Sequence, residues 1–426
     1  MKVNANQLRE WDRMHCWHPF TQHAEWAAAG EELVLVGGQG PWLIDAEGRR
    51  YFDGNSSIWT NIHGHRHPRI DEAVRAQLSE VAHTSFLGFT HPGAAELARR
   101  LAVFFPPGTL ERVFFSDDGS TAVEVAMKMA IQYRQQTGES ERCGFIAFEN
   151  AYHGDTMGAA SLGGVSQFFD RFRSFGLPAR HVRSLAELRA MPKDQIANVA
   201  AVVIEPLIQG VNEMRPWPSG MLQELRAWCD GQDLHLILDE VMTGFGRTGT
   251  LFACQQEGVI PDFLCLAKGL TGGYLPLAAT LTTGAIFEAF LGTRERTFYY
   301  GHSYTANQLG CAAALASLDV FEEERVLEGL SPRVEALSQA LGAIDHPFVH
   351  EVRQCGLISG LELRQENGER FLEGERMGER VCLAARAHGL LTRPIRDTIV
   401  MMPPLCSTTE EITGACEALG RAVEEV

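Results

Sequence analysis

The chain contains 426 residues with a formal net charge of −17, and 45% of its residues are hydrophobic while 21% are charged. This length predicts about two or three domains, and the composition is typical of a globular protein rather than a disordered one. The acidic balance excludes the basic surface with which proteins bind nucleic acid or an anionic membrane.

The ten cysteines are scattered along the chain and form no C-x-x-C pair, which argues against zinc-ribbon and thioredoxin-like sites. Several stand in apolar runs and are expected to be buried free thiols. The N-terminal segment lacks the apolar region of a signal peptide, and no apolar run is long enough to span a bilayer. We therefore expect a reducing, cytoplasmic location and no membrane partner.

The N-terminal residues 1–70 are rich in Trp, His and Gly and are expected to be irregular, except for a meander of short strands within 33–54. Two amphipathic helices are predicted next, over 71–83 and 93–105. Apolar strands then alternate with helices. These strands are predicted at 111–116, 143–149, 198–206, 235–241, 262–270 and 278–283. The clearest helices between them are predicted at 120–136 and 221–233. The alternation predicts a mostly parallel sheet covered on both faces.

The C-terminal part begins with two predicted helices and closes with a compact α+β pattern. The elements are helices at 307–324 and 329–344, a strand at 356–364, a helix at 376–389, strands at 390–395 and 398–404, and a helix at 408–426. We therefore predict an α/β chain with a large domain at 71–315. A small α+β domain would combine the N-terminal part, 1–70, with the C-terminal part, 316–426.

Three features at predicted strand ends carry candidate chemistry. At Gly119-Ser120-Thr121 a helix begins after a strand, and its unpaired N–H groups suit a phosphate, although an ordinary N-cap has the same pattern. Asp239 ends an apolar strand, where a buried carboxylate needs a cationic partner or serves as a helix cap. Lys268 follows another apolar run, where desolvation would free its amine to form a Schiff base, unless it only extends to solvent.

These three features together match the needs of pyridoxal 5′-phosphate. The helix start would bind the phosphate, Asp239 would keep the pyridine nitrogen protonated, and Lys268 would bind the aldehyde. Tyr152 follows another strand and offers a ring to stack on the pyridine, and Glu205 supplies a further carboxylate.

Motifs along nearly the whole chain resemble those of the class III, fold type I, pyridoxal-phosphate aminotransferases. The matching segments are SDDGSTAVEVAMKMA, YHGDTMGAASLGG, VIEPLIQG, LILDEVMTGFGRTG, PDFLCLAKGLTGGYLPLAAT and GHSYTANQLGCAAALA. The resemblance implies a fold type I transferase that acts as a homodimer with shared active sites, on a small-molecule keto acid and an amino donor.

The resemblance also implies individual roles. Catalysis is assigned to Lys268, Asp239 and Tyr152, and cofactor binding to these three residues together with Gly119, Ser120, His302 and Ser303. The last two belong to a loop that reaches the phosphate across the dimer interface. Substrate contacts are assigned to Phe20, Ile58, Trp59, Tyr152, Lys268, Gly301 and Arg393, and the arginine would bind a carboxylate. Glu205 and Arg247 match polar residues that line the site.

Narrower motifs resemble the branch of this family that acts in biotin biosynthesis, on 7-keto-8-aminopelargonate (8-amino-7-oxononanoate). They are Trp17-His18-Pro19-Phe20-Thr21, Ser56-Ser57-Ile58-Trp59 and Arg393-Pro394 with Met401-Met402-Pro403-Pro404. Phe20 replaces a tyrosine and Ile58 a tryptophan of many members, and His302-Ser303 replaces a proline-threonine pair. These changes leave two amino donors open, S-adenosylmethionine and lysine.

Several alternatives accompany this interpretation. Another class III aminotransferase would act on ornithine, 4-aminobutyrate or a diamine, and a noncatalytic binding protein could share the scaffold. The histidines of His63-Gly64-His65-Arg66-His67 could bind a metal, but the loop has no nearby acidic partner and no metal site is predicted. The run Gly244–Gly249 resembles a dinucleotide-binding fingerprint without the helix that must follow it.

Overall fold

A computed structural model describes residues 4–30 and 32–426. The strands are β1 Leu35–Gln39, β2 Trp42–Asp45, β3 Arg50–Asp53, β4 Leu110–Ser116, β5 Gly144–Phe148, β6 Ala179–Val182, β7 Val199–Ile204, β8 Ile208–Gln209, β9 Arg215–Pro216, β10 His235–Asp239, β11 Phe263–Leu266, β12 Ala278–Thr283, β13 Val349–Cys355, β14 Ile358–Leu363, β15 Leu390–Leu391, β16 Pro394–Ile395 and β17 Thr398–Met401.

The helices connect and cover these strands. They are α1 Ala5–His15, α2 His23–Ala29, α3 Ser56–Trp59, α4 Pro68–Glu80, α5 Pro92–Ala102, α6 Gly119–Gln136, α7 Met157–Leu162, α8 Ser166–Phe169, α9 Leu185–Arg189, α10 Lys193–Ile196, α11 Met221–Gly231, α12 Gly284–Ala289, α13 Gln308–Glu323, α14 Leu330–Gly342, α15 Met377–Ala387 and α16 Thr409–Glu424. Short 3-10 helices lie at Asp170–Phe175, Ala253–Glu257, Lys268–Thr271, Arg294–Arg296, Val326–Gly329 and Glu373–Glu375. None of the described helices combines the length and the apolar character needed to cross a bilayer.

A seven-stranded sheet in the order β4-β12-β11-β10-β7-β5-β6 forms the centre of the fold. Its strands are parallel except for β12, which is antiparallel to both of its neighbours. On β10, Leu236 and Leu238 pack in one hydrophobic core while Ile237 packs in a second core on the other face. The two cores explain why the strand residues are apolar without interruption. The predicted α/β class, with a mostly parallel central sheet, is confirmed.

Two smaller sheets bring distant parts of the chain together. In the sheet β1-β2-β3-β15, Leu390 pairs in parallel with Phe52, so that a C-terminal strand extends an N-terminal meander. The sheet β13-β14-β17-β16 is antiparallel throughout. Helix α13 runs continuously across position 315, and the boundaries 1–70, 71–315 and 316–426 stay a prediction.

Three of the differences from the sequence expectations have a clear structural reason. Residues 1–70 are less irregular than predicted, because they contain the helices α1 and α2. Neither helix buries a side chain, so the sequence there has no periodic apolar stripe that packs in the core and would indicate a helix. Lys268 does not end a strand, because β11 stops at Leu266 and the lysine begins a 3-10 helix. Strand β13 was not predicted, and its mixed burial explains the weak pattern.

A buried cluster of ion pairs links the C-terminal sheet to the segment that follows β8. The guanidinium of Arg353 on β13 pairs with the carboxylate of Glu362 on β14 and donates to the backbone carbonyl of Glu213 at 2.9 Å. Glu362 also accepts from Arg364 at 2.8 Å. Burial alone would raise the pKa of Glu362, but the hydrogen bonds from the two arginines outweigh it and lower this pKa to about 2.

We expect Arg353→Met to lower the free energy of unfolding by about 3–5 kcal/mol, because it leaves the buried Glu362 without its main partner. Urea unfolding of the full chain measures the change. As a control, Arg99→Met removes an exposed pair with Glu96 and should leave the urea midpoint unchanged. The stabilisation from Glu362 is present above its unfolded pKa and should disappear as the pH falls through about 2. Equal midpoints for the two variants would contradict the role of this cluster.

Candidate active site

The N-terminus of α6 points free backbone donors at the end of β4. The carboxylate of Asp118 accepts from the N–H of Thr121 at 2.8 Å, which leaves the N–H groups of Gly119 and Ser120 without an intrahelical partner. A side chain at Gly119 would place its Cβ 2.6 Å from Val241 Cγ1, and a side chain at Gly154 would collide with Ser120. Only glycines permit this close approach. The unpaired N–H groups at the start of α6 form a candidate cradle for an anion.

Asp239 lies at the carboxyl end of β10, buried, with His153 as its partner. The two side chains join through His153 Nδ1 and Asp239 Oδ2 at 2.8 Å, while Oδ1 accepts from the N–H of Val241 at 3.1 Å. Burial disfavours the charged imidazolium, but the hydrogen bond to Asp239 and the charges of Asp239 and Glu205 together outweigh it and raise the pKa of His153. The neighbouring Glu240 instead accepts from the N–H groups of Ala253 and Cys254, which is a structural capping role.

Glu205 is a second buried carboxylate beside this pair. Its oxygens accept from the N–H groups of Tyr152 at 3.2 Å and Gly210 at 2.9 Å, so it fixes two segments of backbone. Burial raises the pKa of Glu205 to about 7, and the charge of Asp239 adds to the shift while His153 opposes it. Of these two carboxylates, Glu205 is the one whose pKa burial brings into the neutral range.

Lys268 begins its 3-10 helix in the left-handed region, with φ of 44°, which costs about 1–3 kcal/mol and indicates a constrained site. Burial lowers the pKa of the Lys268 amine to about 8, against the opposing charges of Asp239 and Glu205. The buried guanidinium of Arg247 lowers it further. An amine in this range is available as a nucleophile and as a proton carrier near neutral pH.

The phenol of Tyr152 donates to the carboxylate of Asp155 at 2.6 Å. Burial, followed by this hydrogen bond, raises the pKa of Tyr152 above its ordinary value. A row of edge-to-face rings continues outward, with Phe168 at 6.0 Å from Tyr152 and Phe20 at 5.5 Å from Phe168. Phe20 is 62% exposed, so the row joins the interior of the site to the surface.

Ile58 and Trp59 lie on α3, which is a single left-handed turn. The indole of Trp59 stands over the Lys268 amine, with Nζ 4.8 Å from the ring centroid. Ile58 is exposed, whereas Trp59 packs against a small core that contains Met242. Of these two predicted substrate contacts, the structure therefore brings Trp59 to the lysine.

Arg393 precedes β16 and is exposed. Throughout residues 4–30 and 32–426, no carboxylate lies within ion-pair distance of it. By contrast, Arg396 lies 3.4 Å and Arg370 2.8 Å from the buried carboxylate of Glu213. Unlike these two arginines, Arg393 has no carboxylate partner among the described residues.

The predicted phosphate loop is exposed at Gly301 and Ser303. Within one chain, His302 Nε2 lies 3.5 Å from the carboxylate of Asp117, two residues before the cradle at Gly119. The structure places this loop near the start of α6, and its predicted contact across an interface stays a prediction.

The three histidines of the 63–67 segment have separate protein partners. His63 contacts Ser317 Oγ at 3.0 Å, His65 contacts Asp53 at 2.9 Å and His67 contacts Glu324 at 2.9 Å. Burial lowers the pKa of His63 to about 3, as expected for a neutral core residue. Among the described residues, no group of histidines, cysteines and carboxylates is arranged to hold a metal ion.

Arg247, from the Gly244–Gly249 run, is fully buried and lies beside the site instead of in a nucleotide loop. It donates to the backbone carbonyls of Asn61 and Pro403, each at 2.7 Å. Burial lowers its pKa to about 9. Arg247 therefore joins the N-terminal and C-terminal segments that form two walls of the site.

Sequence reasoning missed one prominent member of the site, His153. It stands next to Tyr152 in the motif YHG, but its partner Asp239 is 86 positions away, and no local pattern indicates that pairing. Its Nε2 is buried and has no hydrogen-bond partner within the described part of the chain. The adjacency to an aromatic residue at a strand end is the only signal that could have singled it out.

These groups are compatible with pyridoxal phosphate. The glycine cradle at α6 suits a phosphate, the Asp239 carboxylate suits a protonated pyridine nitrogen, and the Lys268 amine suits an aldehyde. Tyr152 offers an aromatic face beside the same strand ends. An anion cradle, a buried carboxylate and a nucleophilic amine are together the groups that pyridoxal phosphate requires.

A profile of the family Aminotransferase class-III matches residues 26–423. The adenosylmethionine-8-amino-7-oxononanoate aminotransferase of Geobacter sulfurreducens is 46% identical over 99% of this chain and 98% of that protein. The solved structure of the protein of the same name from Methanocaldococcus jannaschii is 39% identical, with a TM-score of 0.96 and coverage of 99% of this chain and 100% of the other.

A further solved structure, of an amine transaminase from an uncultivated Pseudomonas species, was determined with pyridoxal phosphate bound. It is 33% identical, with a TM-score of 0.89 and coverage of 96% of this chain and 98% of the other. Since the family profile and these relatives span nearly the whole chain, the protein belongs to the class III aminotransferases and is a pyridoxal phosphate-dependent enzyme.

Proposed function

We propose that this enzyme transfers an amino group to 8-amino-7-oxononanoate and forms 7,8-diaminononanoate, a step of biotin biosynthesis. The observation that carries the proposal is the full-length similarity to relatives that are named for this reaction, at 46% identity in the Geobacter protein. The unpaired Arg393 supports it, because the acceptor is a long keto acid whose carboxylate needs a cation at a distance from the reacting carbon.

The residues of the site divide the work of two half-reactions. Pyridoxal phosphate, when bound, supplies an electron sink that stabilises negative charge on the substrate carbon. Asp239 holds a proton on the ring nitrogen, and the start of α6 binds the phosphate. Nζ of Lys268 takes the proton from the α-carbon of the donor, and in the second half-reaction it delivers a proton to C7 of the acceptor. Tyr152 and Trp59 exclude water from this space.

Two donors remain candidates for different reasons. The names of the relatives point to S-adenosylmethionine. Phe20 and Ile58 favour lysine, because Phe20 lacks a hydroxyl and the exposed Ile58 lacks an aromatic face on which adenine would stack. A lost stacking contact is worth only about 0.5–1.5 kcal/mol, so these two positions do not decide the donor alone.

We also propose that the enzyme is a homodimer with shared active sites. Large apolar side chains are exposed near the N-terminus and the 301–303 loop, among them Trp17 at 91% and Tyr299 at 82% exposure. A second copy of the chain would cover such a patch, as symmetric dimers do. The 301–303 loop would then reach the phosphate bound to the partner.

The first test supplies each donor alone to the holoenzyme and follows its absorption spectrum. We expect either S-adenosylmethionine or lysine to convert the cofactor to its amine form, and 8-amino-7-oxononanoate to reverse the change. Rescue of a biotin auxotroph blocked at this step provides an independent readout. If 4-aminobutyrate, ornithine or a diamine is turned over instead and 8-amino-7-oxononanoate is not accepted, the enzyme is a different class III aminotransferase.

The second test concerns Arg393. We expect Arg393→Ala to raise the KM for 8-amino-7-oxononanoate at least about tenfold, since a charge-assisted pair is worth about 1.5–3 kcal/mol. Arg393→Lys should recover only part of the loss, because lysine cannot form the two parallel hydrogen bonds of a guanidinium. The cofactor spectrum should not change. Arg396→Ala is the matched control, since Arg396 faces Glu213, and a larger rise in KM there would move the carboxylate site to that residue.

The third test uses subunit mixing to examine Lys268 and the 301–303 loop together. Lys268→Ala and the double variant His302→Ala/Ser303→Ala should each be nearly inactive. If the loop acts on the partner's site, a mixed dimer contains one intact site, and random mixing should restore about a quarter of wild-type activity. Absence of recovery in dimers that have exchanged subunits would place the loop in the site of its own chain, where His302 lies beside Asp117.

A further inference from the structure

The left-handed turn α3 is an unusual backbone feature next to the proposed reactive lysine. Ser56, Ser57, Ile58 and Trp59 have φ values of 44°, 50°, 68° and 67°, and none of them is glycine. Successive residues in this region are rare for L-amino acids and persist only where the surroundings determine the conformation.

Side chains on both sides hold this turn. Asp53 is buried, and its two oxygens accept from the backbone N–H of Ser57 at 2.8 Å and from the Ser57 hydroxyl at 2.7 Å. The Ser56 hydroxyl donates to the carbonyl of Met402 at 2.6 Å. The turn is therefore fixed to the end of β3 and to the residue after β17.

The end of the turn carries Trp59, whose indole is held in place by a single polar contact. Its Nε1 donates to Oδ1 of Asn55 at 2.8 Å, and Asn55 is buried. The six-membered edge of the indole faces Gly210, where an added Cβ would lie 3.2 Å from Cζ3 of Trp59. This leaves the ring face toward the Lys268 amine at 4.8 Å.

We propose that Asn55 is a positioning residue for the reaction, because it fixes the indole of Trp59 as a cover over the Lys268 amine. The indole limits the directions from which a reagent or substrate can approach the amine. Its aromatic face also attracts a cation and therefore favours the ammonium form. The inference rests on the proposed role of Lys268, whereas the identity of the acceptor does not enter it. Since Lys268 acts on both substrates, Asn55 should affect both half-reactions alike.

The chain offers a direct readout, because it contains only four lysines, at positions 2, 128, 193 and 268. Lys128 and Lys193 are exposed and serve as internal references. The full chain, freed of cofactor, is treated with an acetylating reagent in mildly alkaline buffer. Mass spectrometry then gives the rate at Lys268 relative to the two references, without any need for a substrate or for turnover.

We expect Asn55→Ala to speed acetylation of Lys268 about two- to fivefold, the size of a lost contact between a cation and an aromatic ring. Asn55→Asp keeps the acceptor oxygen, and its added charge favours the ammonium form of Lys268, so it should label no faster than the wild type. Trp59→Phe keeps a ring but removes the donor, so it should match Asn55→Ala, and the double variant should add nothing further. Thermal unfolding verifies that each variant is folded.

An unchanged Lys268 rate in folded Asn55→Ala, or effects of Asn55→Ala and Trp59→Phe that multiply in the double variant, would overturn the proposal. Trp59→Phe alone keeps the test decisive if Asn55→Ala does not fold. In the holoenzyme, the rates of the donor and acceptor half-reactions of Asn55→Ala should change by the same factor. Slowing of only one of them would make Trp59 a wall of that substrate's pocket and Asn55 a support of that wall.

Discussion

The active site depends on one carboxylate that is buried at the end of a strand in a large apolar sheet. Asp239 ends the central strand β10 and is nearly inaccessible, and an isolated charge there would be strongly unfavourable. The imidazole of His153 compensates for this cost, because its Nδ1 lies 2.8 Å from the Asp239 carboxylate and the two side chains are buried together. The same charge adds to the rise in the pKa of Glu205 and opposes the fall in the pKa of Lys268 that burial causes. The charge of Asp239 thereby acts, together with burial, on the protonation of His153, Glu205 and Lys268.

The walls of the site come from parts of the chain that are far apart in sequence. The N-terminal meander is extended by β15, and its last strand leads directly into the turn that carries Trp59. Arg247 and Ser56 both bind backbone carbonyls after β17, at Pro403 and Met402. The positions of Trp59 and Lys268 therefore depend on contacts between distant segments of the chain. The segment that follows β17 contacts both Arg247 and the turn that carries Trp59.

The sequence predicted those parts of the fold and site that follow from local patterns. Uninterrupted apolar runs indicated the parallel strands, and Asp239 was located at a strand end because the run stops at its carboxylate. Helix α1 escaped prediction because it packs no side chain in the core. The pairing of His153 with Asp239 and the left-handed turn at Trp59 are set by tertiary contacts, and residues such as Ser and Ile carry no local signal for a positive φ. The sequence also does not show that Arg396 contacts a carboxylate while Arg393 does not, because this depends on where Glu213 lies in three dimensions.

Because the chain contains few lysines, an aldehyde has few side-chain amines other than Lys268 with which to react. Of the 37 basic side chains, four are lysines, and the guanidinium groups that make up the remainder do not condense with aldehydes under mild conditions. Few amines of this protein therefore compete with Lys268 for the aldehyde of pyridoxal phosphate. Lys128 and Lys193 are exposed, so they lack the burial that lowers the pKa of Lys268 and makes it nucleophilic. Among the described lysines, Lys268 should therefore be the one that reacts most readily with an aldehyde.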